Sequence, residues 1–164
     1  MKILQYAFLL LLSLVFTSCI EGEKIKPEIE EKSVYPEYII FGMFFGNCFP
    51  QDCIEIFKIQ NDSLFKSDNT YPRDSLYSGE FEFIGNEKLS LVSDITDEIP
   101  SELLEIEDQY IGCPDCSDWG GFIIEYSTKE FQSNWLIDTR KSNVPEELHD
   151  FLNLTYDRIQ ILLN

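Results

Sequence analysis

Apolar and polar positions divide the chain into segments of different period. Ile3 to Phe16 is apolar almost without a break, behind a single charge at Lys2. Glu37 to Phe45 is a second apolar run, too short for a typical helix and rich in Ile and Phe, and it predicts a central strand covered on both faces. Gly42 and Gly46 in and beside it suggest a bulge or close backbone approach. Cys53 to Ile59 predicts the partner strand, across the turn-rich Asn47-Cys48-Phe49-Pro50-Gln51-Asp52. Asn61-Asp62-Ser63 predicts a turn, Leu64-Phe65 the start of a short third strand, and Lys66 to Ser78 an exposed loop. Between Gly79 and Ile84, acids alternate with Phe81 and Phe83, which predicts a half-buried strand with the rings inward.

The period then changes to that of a helix. Leu89, Val92, Ile95 and Ile99 share one stripe over residues 86–99, with Asn86 as N-cap and Pro100 as the stop. Gly120 to Tyr126 and Phe131 to Ile137 predict a second hairpin around Ser127-Thr128-Lys129-Glu130. Pro145 to Leu163 predicts a closing helix striped by Leu148, Phe151, Leu152, Tyr156, Ile159, Leu162 and Leu163. Asn143 and Glu146 resemble a capping box at its start. The expected fold is α+β: an antiparallel sheet of about five to six strands built from hairpins, one middle helix and a packed C-terminal helix.

The first apolar run reads as an address. A short basic start and fourteen following residues fit a secretory signal. As a helix they would reach only about 21 Å, short of a bilayer core. Phe16-Thr17-Ser18-Cys19 resembles a bacterial lipobox, in which Cys19 is acylated, with palmitate among the expected chains, and becomes the first mature residue. An ordinary secretion signal with an incidental cysteine is the alternative. Residues 1–18 are thus the expected signal peptide, 19–36 an acidic, Pro-punctuated tether, and 37–164 a single α+β domain. The implied location is the cell envelope, on the periplasmic face or the outer-membrane surface.

Charge narrows the partners. Twelve Lys and Arg against 30 Asp and Glu give a net −18, and removing residues 1–18 takes away one Lys and no acid, leaving −19. No basic stripe is available for nucleic acid, whereas a basic protein partner is electrostatically suited. An apolar content of 44% argues for a folded core despite that charge.

Besides Cys19, four cysteines remain. Cys48 and Cys53 bracket the first hairpin turn, where opposed Cα atoms fall within disulfide range, and Cys113 and Cys116 would close a second ring. A crossed pairing between loop and hairpin is also open. Cys113-Pro114-Asp115-Cys116 also matches the spacing of a dithiol redox centre and of half a zinc knuckle, so a thiol-disulfide or zinc-dependent enzyme is the rival reading. No other cofactor is indicated. His149, the only His, lies off the helical stripe and reads as solvated. Asp115 and Asp118 beside Trp119 could serve sugar hydrolysis, and Asp94, Asp97, Glu98 and the acids from Glu102 to Asp108 could hold Ca²⁺. In so acidic a chain, chance proximity and a solvated face are the simpler readings. With no nucleophile relay, P-loop or dinucleotide fingerprint, the sequence points to a binding or structural module without catalysis. Its expected ligand loop is Pro114, Asp115, Asp118, Trp119, Gly120 and Gly121, near Phe49 of the first hairpin. Burial of Trp119 in the core is the alternative.

The order of these motifs resembles a group of uncharacterised Bacteroidetes lipoproteins. They run from the lipobox through Tyr38-Ile39-Ile40-Phe41-Gly42, Asn47-Cys48 and Cys53-Ile54-Glu55-Ile56 to Asp118-Trp119-Gly120-Gly121 and Trp135-Leu136-Ile137-Asp138. The chain is more distantly similar to a domain-of-unknown-function family with a Cys-containing first hairpin. The resemblance implies envelope location and fold and carries over no catalytic residue. Asp62-Ser63-Leu64 and Asp74-Ser75-Leu76 also match the O-glycosylation signal of that phylum, which would modify Ser63 and Ser75.

Overall fold

The Ile- and Phe-rich segment forms the middle strand of the sheet. The computed structural model describes residues 36–46, 53–68, 72 and 75–164. The expected signal peptide, Cys19, nearly all of the expected tether, Cys48 and Phe49 lie outside the described residues. All that is described belongs to one compact unit, Val34–Asn164.

Seven strands run in the order β4-β3-β2-β1-β6-β7-β5. They are β1 (Tyr38–Phe44), β2 (Ile54–Gln60), β3 (Ser63–Ser67), β4 (Phe81–Phe83), β5 (Tyr110–Ile111), β6 (Gly121–Ser127) and β7 (Gln132–Asp138). Every neighbouring pair is antiparallel except β5 with β7. Asn61 and Asp62, both at positive φ, form a two-residue turn between β2 and β3, the geometry that matches strand twist. The fold is mixed α+β with a mostly antiparallel sheet and a C-terminal helix, and it has more strands than the pattern predicted.

Alternation along the strands separates two apolar layers. Ile39, Phe41, Phe57, Ile59, Ile124, Trp135 and Ile137 face α2 (His149–Leu163), which contributes Phe151, Leu152 and Ile159. Trp135 is fully buried and donates from Nε1 to the Ile106 carbonyl at 2.9 Å. The opposite layer holds Ile40, Phe44, Ile56, Ile123 and Leu136, packed against Tyr77 and Phe81. No helix among the described residues is long and apolar enough to cross a membrane.

Several local expectations need correction. The single middle helix over 86–99 is instead two 3-10 turns, Leu89–Leu91 and Ser93–Thr96, followed by the one-turn α1 (Ser101–Leu104). The spacing explains it: Leu89, Val92 and Ile95 recur every three residues, the 3-10 period, and Val92 and Ile95 are fully buried. Asn86 caps no helix, because its side chain accepts from Leu64 N and donates to the Asp62 carbonyl. The Asn143–Glu146 capping box does not form. Asn143 Nδ2 donates to Asp138 instead, and the chain enters α2 through a 3-10 turn at Glu146–Leu148.

Phe83 is 55% exposed, because β4 is a short edge strand, and its ring packs edge-on against Phe65. Part of the Lys66 to Ser78 segment is also not a free loop. Lys66 and Ser67 complete β3, and Tyr77 packs on the second layer. On α2, Tyr156 and Leu163 of the predicted stripe are exposed and Thr155 is buried, its Oγ1 donating to the Phe151 carbonyl.

Candidate functional site

One end of the sheet gathers most of the residues with chemical potential. There Phe44 of β1 pairs with Gly121 of β6, which pairs with Asp138 of β7. The chain reaches β6 through residues 112–120, where Gly112, Asp115, Ser117, Asp118 and Gly120 all have positive φ. Gly120 is required twice over, since its φ is +70° and a Cβ there would overlap the Phe44 carbonyl oxygen.

Three ties hold this loop in a conformation that L-residues resist. Cys113 and Cys116 are joined by a disulfide with Cα atoms 5.4 Å apart. Asp115 Oδ1 accepts from Gly46 N at 2.8 Å and from Gly120 N at 3.3 Å, linking the loop to the end of β1. Asp138 anchors the other side: Oδ2 accepts from Cys113 N at 3.1 Å and Asn143 Nδ2 at 2.7 Å, and Oδ1 from Arg140 N at 2.8 Å. Burial works against charge on Asp138, yet these hydrogen bonds and the nearby Arg140 hold its carboxyl below the usual range.

The tie at Asp115 brings the expected ligand loop and the first hairpin together. Trp119 is 55% exposed, so it is not a core residue, and the Arg140 guanidinium lies 4.6 Å from its ring centre. Phe45 is exposed nearby, its Cδ1 close to Gly120. Asp115 Oδ1 is thus committed to two backbone amides, a structural use of the carboxylate.

Beside Asp138 opens a cavity of about 440 Å³. Met43 and Phe122, paired across β1 and β6, form one wall with Leu152 and Tyr156 of α2, and Asp138, Thr139, Lys141, Asn153 and Asp157 supply the polar lining. Its size falls in the range of small-molecule pockets. Lys141, Asn153 and Asp157 carry no signal in the sequence, because their convergence depends on how α2 crosses the sheet. A scan against protein-family models and a search of curated proteins both find no match.

His149 is not simply solvated. Its Nε2 lies 3.0 Å from the Lys141 carbonyl and 3.1 Å from that of Val144, so it acts as a donor that fixes the turn after β7. Among the described residues, no three His, Cys, Asp or Glu side chains are gathered as a ligand set for a metal. Cys53 is also in a disulfide, and its partner lies outside the described residues. Cys53, Cys113 and Cys116 are thus not free thiols in this structure. The acids Asp94, Asp97, Glu98, Glu102, Glu147 and Asp150 line a shallow groove, where Arg158 clamps Asp94 and holds its carboxyl below the usual range.

A buried polar network lies on the second layer. Glu125, only 1% exposed in the middle of β6, accepts from Tyr38 Oη and from Tyr77 N, both at 2.6 Å. Burial, with Glu125 adding to it, pushes the Tyr38 hydroxyl up to about 12. Asn134 donates to the Ser75 carbonyl and accepts from Gln109. Together they strap residues 75–77 over the sheet. Lys58 sits over the Phe65 and Phe81 rings, and burial lowers its pKa. Of the two candidate glycosylation residues, Ser75 is exposed, and Ser63 is half-buried with Oγ turned to the Asn61 carbonyl.

Proposed function

We propose that this protein is a lipid-anchored, extracytoplasmic binding module whose ligand seats at the Asp138 end of the sheet. The carrying observation is the 440 Å³ cavity walled by Met43, Phe122, Leu152 and Tyr156 beside the tied loop 112–120. Apolar walls with a few polar groups at the rim are what small ligands require. Exposed Trp119, held by Arg140 on that loop, extends the same end as a surface on which a larger basic partner could anchor.

The location rests on the sequence: Lys2, the apolar run to Phe16 and the lipobox-like Cys19 support an anchor. The resemblance to uncharacterised Bacteroidetes lipoproteins points the same way, and the net −19 left after residues 1–18 keeps an anchored domain soluble and off anionic lipid.

Two experiments test these halves separately. Metabolic labelling with palmitate is expected to mark the wild type and not Cys19→Ala; equal labelling of both removes the anchor. Ligand-observed NMR with a fragment library is expected to find binders that Tyr156→Arg abolishes by filling the cavity. A library whose binders all ignore that substitution overturns the site.

A further inference from the structure

We infer that the cavity takes a small zwitterion with an apolar body, an α-amino acid or dipeptide, held between Lys141 and Asp157. The inference rests on the cavity being the binding site and adds the chemistry of its occupant. Three charged side chains line it: Asp138, Lys141 and Asp157. Asp138 has both oxygens filled by three protein donors and has little to offer a ligand.

Lys141 and Asp157 are different. Neither side chain is in an ion pair or side-chain hydrogen bond among the described residues, and they are not paired with each other. Asp157 feels its neighbour Arg158 only at longer range, since the Arg158 guanidinium is bonded to Asp94. Both face the same space from opposite elements, Lys141 from the turn after β7 and Asp157 from α2. The Lys141 backbone is held in place, since its carbonyl accepts from His149 and its turn is pinned through Asn143 to Asp138.

This pair of opposite charges discriminates between ligand classes. An anion alone would answer Lys141 and meet repulsion from Asp157, and a cation alone would meet the reverse. A neutral apolar ligand would use the walls and leave both charges to water. An amino acid satisfies every part: carboxylate to Lys141, ammonium to Asp157, and side chain against Met43, Phe122 and Leu152. Asn153 also lines the cavity and carries an amide that can hydrogen-bond a peptide group if the occupant is a dipeptide.

Calorimetry on the full chain in detergent, with defined probes, tests this: L-leucine, L-leucyl-L-leucine, N-acetyl-L-leucine, L-leucine methyl ester and uncharged isoamyl alcohol. At least one zwitterion is expected to bind, and capping either terminus is expected to weaken it about tenfold, the worth of one charged hydrogen bond. Lys141→Met should match the methyl-ester loss and add nothing to it, and Asp157→Asn should behave likewise with the N-acetyl probe. Both residues are exposed, so both variants should keep the wild-type melting temperature. Tighter binding of leucine assigns free amino acids, and tighter binding of dileucine assigns peptides. Isoamyl alcohol binding that Tyr156→Arg abolishes, with no preference for the zwitterions, overturns this inference and leaves the cavity as the site. Binding of no probe overturns this inference, and the fragment screen with Tyr156→Arg decides the cavity separately.

Discussion

Asp138→Asn isolates the residue on which the sheet end depends. Its carboxylate is 2% exposed and receives three hydrogen bonds, from Cys113 N, Asn143 Nδ2 and Arg140 N. Asparagine can keep one oxygen between Cys113 N and Asn143 Nδ2, which sets its own amide donor against Arg140 N. Leaving a buried donor unmet costs about 1–3 kcal/mol, so about 2 kcal/mol is expected from a domain whose total stability is on the order of 5–15 kcal/mol. In urea, with a slope of about 1–3 kcal/mol per molar, the midpoint should fall by roughly 1 M.

The pH dependence gives a second, independent reading. The folded-state pKa of Asp138 lies below its unfolded value, so its contribution is full above about 3.9 and disappears as pH falls through the folded value. The gap between wild type and Asp138→Asn should therefore be widest near neutrality and narrow in strong acid. A variant with the wild-type midpoint at pH 7, or a gap that is the same at both ends, would refute the reasoning.

Three further outcomes follow from the packing. Changing Cys113 and Cys116 together to Ser should lower stability by about 2 kcal/mol or less, because the ring is so small, and should alter Trp119 emission as the loop relaxes. Unchanged emission would mean that the disulfide does not hold the loop. Trp135→Phe should cost about 2–4 kcal/mol through lost volume and an orphaned Ile106 carbonyl, whereas Trp119→Phe should fall within about 0.5 kcal/mol of wild type, both read by thermal melting. Gly42→Ala should cost about 1–3 kcal/mol or more, since the added Cβ would stand 2.8 Å from Ile56 Cα between two central strands; a neutral effect on the melting temperature would contradict the β1–β2 register.

The sequence made visible those elements whose partners are near in the chain or whose two faces are both apolar. β1 was legible because its burial is continuous, and both hairpins because their turns are local. α2 was legible because its stripe runs for several turns. β5 was not, since two residues after a run of acids carry no period of their own and join the sheet only through a parallel pairing to β7. The 3-10 turns were misread because spacings of three and of 3.6 differ little over three apolar positions. Glu125 carried a signal in being a lone charge within an apolar strand, but its partner Tyr38 lies 87 residues away. In the same way the loop 113–121 was visible as a cluster of special residues, while Asp138, which anchors it, read only as a strand end.

Charge ties the sheet end to the rest of the molecule. The chain carries −18, and of the two adjacent cations after β7, Arg140 is engaged with Trp119, which leaves Lys141 as the cation at the cavity. The summed field of the acids attracts any cationic ligand from a distance, and that attraction weakens as salt shortens the Debye length to about 8 Å at physiological strength. A zwitterion has no net charge for that field to act on, and its contacts with Lys141 and Asp157 are short-range. Its affinity should therefore hold nearly constant between low and physiological salt, while leucine methyl ester, a cation, should lose affinity over the same range. A zwitterion that weakened in step with the ester would show that the field of the acids, and not the Lys141–Asp157 pair, governs binding.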